Sequence, residues 1–189
     1  GICWFVRDED HTGSCSVTVK AGDFESTAVR QLDEIGDDLF IVDHIGNQIA
    51  KKVLAKETEF MDTDVSSRKP FGLDSKRLDV REQPFPDAIQ LYQLRDVGYV
   101  HRNKILKNDE WLGDHKVLIP KASDGKGGFG LQVLGEPIVA NPNSACTETY
   151  LVAGRYDTAA PAQNLASFLK TRFVRFMVSL VKTTQNSSK

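Results

Sequence analysis

Between Leu165 and Val181 the apolar residues Leu165, Phe168, Leu169, Phe173, Phe176, Met177, Leu180 and Val181 recur at steps of three and four. That spacing places side chains on one face of an α-helix. The stretch predicts either one long helix or two with a break near Thr171-Arg172, capped by Thr158, with Pro161 tolerated in the first turn. An amphipathic helix is held mainly by packing of its apolar face, so the aromatic stripe is expected in the core and the rest of the chain must supply the surface it covers. That surface reads as short strands. Positions 89–94 and 97–100 form a hairpin through Arg95-Asp96, 116–120 is a buried strand, and 131–134, 137–140 and 147–153 are further strands.

The first sixty residues read differently. Apolar 2–6 and alternating 15–19 predict a β-hairpin, Asp23 caps a helix carrying Phe24, Ala28, Leu32 and Ile35 as far as Gly36, and 39–42 is a short strand. Asp43 then caps a second helix with Ile45, Ile49 and Val53 inward, ending about Lys56. The expected fold is α+β: short mixed strands and hairpins packed with two N-terminal helices and a long C-terminal helical segment. At 189 residues this is one domain, or one domain with a short appendage.

Composition narrows the class. Hydrophobic content of 40% and aromatic content of 8% suit a globular protein, no apolar run approaches a membrane span, and no signal peptide opens the chain, so a cytoplasmic location is expected. Three cysteines, an odd number, predict reduced thiols. A start at Gly1 inside an apolar run suggests a piece of a longer protein. The net charge of -2 conceals an asymmetry, because residues 1–43 set Arg7, Lys20 and Arg30 against ten carboxylates, a net -7, and leave +5 to the remainder. From Ala166 onward there are five cations and no acid.

The cations gather in loops. Ser66-Ser67-Arg68-Lys69-Pro70-Phe71-Gly72 joins two hydroxyls, two adjacent cations, a proline expected to hold Lys69 extended and a glycine that permits a turn, a combination suited to a phosphate or a base edge. His101-Arg102-Asn103-Lys104, followed by Lys107, offers donors to phosphate oxygens, and Arg and Asn can also pair with guanine and adenine edges. Ser123 to Gly130 is glycine-rich and contains Lys126, a possible phosphate contact; the spacing of a phosphate-binding P-loop is absent.

Three motifs carry a resemblance. Gly1-Ile2-Cys3-Trp4-Phe5, the segment Ser66 to Leu73, and Ser144-Ala145-Cys146-Thr147-Glu148-Thr149-Tyr150-Leu151-Val152 lie in order over nearly the whole chain. As a set they resemble the C-terminal part of adenine-specific DNA methyltransferases from bacterial restriction-modification systems, and the closing strand and helix resemble a TaqI-like specificity domain. The resemblance implies that 1–20 is a hairpin at the end of the catalytic sheet and 21–189 a target-recognition domain. Its implied partners are duplex DNA and a linked methyltransferase domain using S-adenosylmethionine. From residue type and loop placement, Arg68, Lys69, Lys104, Lys107 and Lys126 are expected on phosphates, and Ser67, Arg102 and Asn103 on bases.

The chain itself lacks the parts for methyl transfer. A glycine-bearing cofactor loop and an Asn-Pro-Pro-aromatic turn are missing, and Asn141-Pro142-Asn143 has neither the second proline nor the aromatic, so no cofactor is expected here. Rival readings exist. Asp87 with Asp114-His115-Lys116 imitates a magnesium-dependent nuclease, Cys146 with His115 or His101 a thiol nucleophile, and Cys3, His11 and Cys15 an incomplete zinc set. A last alternative is a subunit-contact domain that docks through its basic C-terminal helix.

Overall fold

The computed structural model describes residues 3–36, 40–57, 59–94, 96–123 and 133–182. The chain divides into two compact units, Gly1–Glu57 and Thr58–Lys189. Among the described residues there are three α-helices and eight strands in small sheets, an α+β fold as expected. No described helix is long and apolar enough to cross a membrane.

The first unit holds an antiparallel hairpin, β1 (Cys15–Ala21) and β2 (Phe24–Arg30), and one helix, α1 (His44–Leu54). The helix expected over 24–36 is therefore a strand as far as Arg30. Gly22 takes a left-handed φ of 59° and turns the chain back, and β-branched Val17, Thr18 and Val19 then face Thr27 and its neighbours across the ladder. The Thr18 and Thr27 hydroxyls meet at 2.8 Å. Strand pairing thus overrides a helical spacing that rests on four side chains. The described part of the apolar run at 2–6 is not a strand, and Trp4, Phe5 and Val6 are exposed.

Residues 40–42 also form no strand. Their backbone answers to Arg30 instead, whose guanidinium donates to the carbonyls of Ile41 at 2.5 Å and Val42 at 3.3 Å and lies 4.8 Å from the centre of the Phe40 ring. Asp43 caps α1 by accepting from the Gly46 amide. The buried face of α1 is Gly46, Asn47 and Ala50, one step round from the expected stripe, and Ile45 is exposed. Polar contacts explain the turn: Glu34 accepts from the Asn47 amide at 2.6 Å and pairs with Lys51 at 2.6 Å. The Lys51 ammonium holds the Glu34 carboxyl below its ordinary range.

The second unit is layered. One sheet has the order β4-β3-β7, with β3 (Ala88–Gln93) antiparallel to β4 (Asp96–His101) and parallel to β7 (Ser144–Cys146). The other, β6-β5-β8, sets β5 (His115–Pro120) antiparallel to both β6 (Ile138–Ala140) and β8 (Tyr150–Tyr156). Side chains alternate along a strand, so each sheet shows two faces. Ile89, Leu91, Val100 and Ala145 of the first sheet meet Leu118, Ala140 and Val152 of the second in one core cluster. Val117, Ile119, Leu151 and Ala153, on the opposite face of the second sheet, take α2 (Ala159–Leu169) through Ala162, Leu165, Ala166 and Leu169. Gly154 allows the close approach, since a Cβ there would lie 2.6 Å from Leu165 Cδ2.

The C-terminal periodicity becomes two helices, α2 and α3 (Arg172–Val181), with Thr171 capping α3 by accepting from Val174 N at 3.3 Å and donating to Phe168 O at 2.7 Å. The break redirects the stripe. Val174 and Val178 still reach the cluster, yet no α3 residue is fully buried, and Phe168 and Phe173 are 44% and 49% exposed, so the aromatic stripe is not core. The strand expected over 147–153 starts at Tyr150, because Thr147 N donates to Tyr92 O and Thr147 O accepts from Tyr150 N, a turn between β7 and β8. Of 131–134, the described Val133 and Leu134 form no strand.

Phe71 closes the first core cluster. Its ring is fully buried and meets Trp111 edge-on at 6.1 Å. Phe71→Ala is expected to lower unfolding free energy by about 3–5 kcal/mol in denaturant titrations. A loss below about 1 kcal/mol would mean that the site collapses without a cavity.

Candidate nucleic-acid interface

The burial of Phe71 decides where the first basic loop sits. Ser66 is pinned to β8, its amide donating to Val152 O at 2.8 Å and its hydroxyl accepting from Val152 N at 2.9 Å. Pro70 and Phe71 then dive into the core. The second basic loop is sewn to the same segment: Leu106 N donates to Phe71 O at 3.1 Å, and the Asn108 side-chain amide donates to Pro70 O at 2.7 Å. Gly72, with φ 75°, lies so close that a Cβ would be 2.8 Å from Leu106 Cβ.

Seven of the eight residues expected to touch DNA therefore lie on two adjoining loops, and Lys126 falls outside the described residues. Ser67, Arg68, Asn103, Lys104 and Lys107 are exposed. Lys69 is not extended: it takes a left-handed φ of 58°, and its ammonium is 2.8 Å from Asp74. The α-region is disfavoured before proline, and the Gly72 N to Lys69 O turn that buries Phe71 holds the residue in this rarer conformation. Arg102, also exposed, pairs with Asp109, whose carboxylate raises the guanidinium pKa further.

Arg102 leads into a second feature. On β3 and β4, Ile89, Leu91 and Val100 point to the core, so Gln90 and its partner Tyr99 point to the other face. They floor a concavity of about 520 Å³ whose rim includes Phe85, Asp87, Arg102 and Asn143. Asp87 and Asn143 have left-handed φ of 59° and 61°, which Asp and Asn tolerate better than most residues. Asn143 is a staple: its side chain donates to Ala88 O at 3.0 Å, its carbonyl accepts from Gln90 N at 3.1 Å, and its amide donates to Leu112 O at 2.7 Å. It is thus committed to the sheet. The Phe85 ring is 4.4 Å from the His101 ring and 4.7 Å from the Arg81 guanidinium. Sequence reasoning missed Phe85, Gln90 and Tyr99. The alternation 89–94 could have placed Gln90 off the core, but its partners come from β4 and from Asn143, fifty residues away in the chain.

The rival chemistries lose their parts. Lys116 is fully buried, and its ammonium donates to the carbonyls of Trp111 at 3.0 Å, Leu112 at 3.5 Å and Asp114 at 2.7 Å, closing the 3-10 turn Asp109–Gly113. It cannot assist an attacking water. Asp114 pairs with Arg155 at 3.1 Å, whose guanidinium lies 4.4 Å from the Trp111 ring. Cys146 is buried, and burial pushes its thiol far above the ordinary range, the opposite of a nucleophile. His11 is engaged with Ser14 O at 2.9 Å, and no group of three metal-binding side chains occurs among the described residues.

Burial pulls the Lys116 pKa down from 10.5 to about 8, against the opposing charge of Asp114. Between those values the unfolded chain holds a proton that the folded chain has released, so stability should rise with pH across that window and be flat below it. Relative to Lys116→Met, the native chain should gain up to about 3 kcal/mol between pH 8 and pH 10.5 in denaturant titrations. A difference that does not vary with pH would show that the three carbonyls fully offset the desolvation. No protein-family model, curated protein or solved structure matches the chain.

Proposed function

We propose that the chain is a sequence-specific duplex DNA recognition module of an adenine-specific DNA methyltransferase from a bacterial restriction-modification system, acting in the cytoplasm. The observation that carries this reading is the joining of the two basic loops through Phe71, Leu106 and Asn108, which sets Arg68, Lys69, Arg102, Lys104 and Lys107 on neighbouring backbone. Exposed Arg and Lys on stitched loops can neutralise phosphates while Ser67, Arg102 and Asn103 meet base edges. A linked domain in the same chain would supply the S-adenosylmethionine chemistry, and this module would address it.

One observation favours a second reading. The half-covered Phe168 and Phe173, beside a segment rich in cations, suit a helix that docks on a partner protein. DNA separates the two. In fluorescence anisotropy with labelled duplex, the triple variant Arg68→Ala, Lys104→Ala, Lys107→Ala should bind roughly ten- to a hundred-fold more weakly near 0.1 M salt, and its log Kd against log salt slope should fall by up to about three. The replaced side chains are exposed, so the fold should survive. Salt-independent retention of duplex, or a variant that binds as the native chain does, would give the docking reading the field.

A further inference from the structure

The hairpin of the first unit has an open edge. Among the described residues β1 and β2 pair only with each other, and an unpaired edge is a template for another strand. The two-residue turn Gly22-Asp23 joins the facing pair Ala21 and Phe24, and the pair that closes such a turn is hydrogen-bonded. Bonded pairs then alternate along the ladder. Ala21, Val19, Val17 and Cys15 bond to β2, while the amides and carbonyls of Ser16, Thr18 and Lys20 point away from it. No other described residue is hydrogen-bonded to these groups. Natural edges are commonly guarded by a proline, a bulge or a charge. β1 has no proline and an unbroken register, and its one charge, Lys20, is 2.9 Å from Glu25.

We propose that a second copy of this chain completes the sheet, with β1 pairing antiparallel to the second copy's β1 about a twofold axis at Thr18. In that register Thr18 faces the second copy's Thr18 and Ser16 faces its Lys20. Each such pair exchanges two bonds, so every outward amide and carbonyl of the three residues is satisfied. Any other twofold register leaves Ser16 or Lys20 facing a residue outside β1, or sets outward groups against groups already bonded within the hairpin. Val17 lies opposite the second copy's Val19, a β-branched pair suited to a ladder, and no like charges face each other. The edge of β2 fits less well. The same arrangement there sets Phe24 against Arg30, whose guanidinium is held by the carbonyls of Ile41 and Val42. A contact of one patch with itself closes at two copies. The inference is independent of the DNA-binding reading.

Sedimentation velocity of the whole chain from about 5 to about 500 µM, the range in which a small interface associates, should show the mean mass rising from one copy toward two. Thr18 is exposed, so Thr18→Lys and Thr18→Glu should each fold. Either variant alone sets like charges across the axis and should associate about ten-fold more weakly, and an equimolar mixture should recover the association because opposite charges then meet. Amide exchange on the native chain reads the same contact with no substitution. Ser16, Thr18 and Lys20 should gain protection as concentration rises, whereas Val17 and Val19, already bonded to β2, should change little. Should a variant fail to fold, exchange alone decides. A mean mass that stays at one copy, folded variants that associate as the native chain does, a mixture that does not recover, or exchange at the three amides that ignores concentration overturns the pairing.

Discussion

The burial of one aromatic ring organises the second unit. Phe71 reaches its place only because Gly72 turns in the left-handed region and Lys69 accepts an uncommon backbone conformation before Pro70. Left-handed backbone costs a non-glycine residue about 1–2 kcal/mol, and burying a phenyl ring returns more than that. The exposed residues on either side are then fixed by what the ring does. Trp111, the edge partner of Phe71, is held in turn by Arg155 over its ring and by the carbonyls that Lys116 gathers. A hydrophobic anchor, a buried ammonium and a cation over an indole therefore position the two surface loops that carry the positive charge.

Legibility from sequence follows the range of the interactions. The hairpin of β3 and β4, the strand β5 and the capped start of α1 are local, and short apolar runs or the Asp43 cap mark each of them. The break before α3 was also written locally, in Thr171. What escaped depended on partners far along the chain. The run from Phe24 has helical spacing, but β1 lies beside it and pairs with it residue for residue, and the side chain of Arg30, at the end of the ladder, reaches the carbonyls of Ile41 and Val42. The apolar stripe of α3 looked like core because periodicity reports a face and not what covers it. Of the candidate interface, the cationic loops are visible as composition, whereas their adjacency comes from bonds between residues 70–72 and 106–108. The concavity was invisible, since its floor is the back of a sheet.

Lys116 shows how a residue type can mislead when its surroundings are unknown. An acid, a histidine and a lysine in sequence look like a metal site; folded, the lysine is turned inward by the alternation of β5, and its charge is matched by backbone oxygen. A buried ammonium is tolerated where several carbonyls surround it, and the last turn of a 3-10 helix offers such carbonyls, of which those of Trp111 and Leu112 also accept from the Asp114 and Asn143 amides. The same inward turn leaves Asp114 at the surface for Arg155.

The acids beside the basic loops bear on how the surface would meet a polyanion. Lys69 and Arg102 each have a carboxylate partner, Asp74 and Asp109, in partly exposed pairs. Such pairs contribute little to stability, because water screens them and the long side chains lose entropy in forming them. They do restrict where the cations can point. A phosphate that replaces either carboxylate meets a side chain already ordered, so part of the entropic cost of binding has been met by the fold. The displaced acid would stay close enough to repel a second anion, and a surface of this kind would discriminate by position and not by total charge. That is compatible with a chain whose net charge is only -2, and it separates local complementarity from the long-range attraction on which a uniformly basic protein would rely.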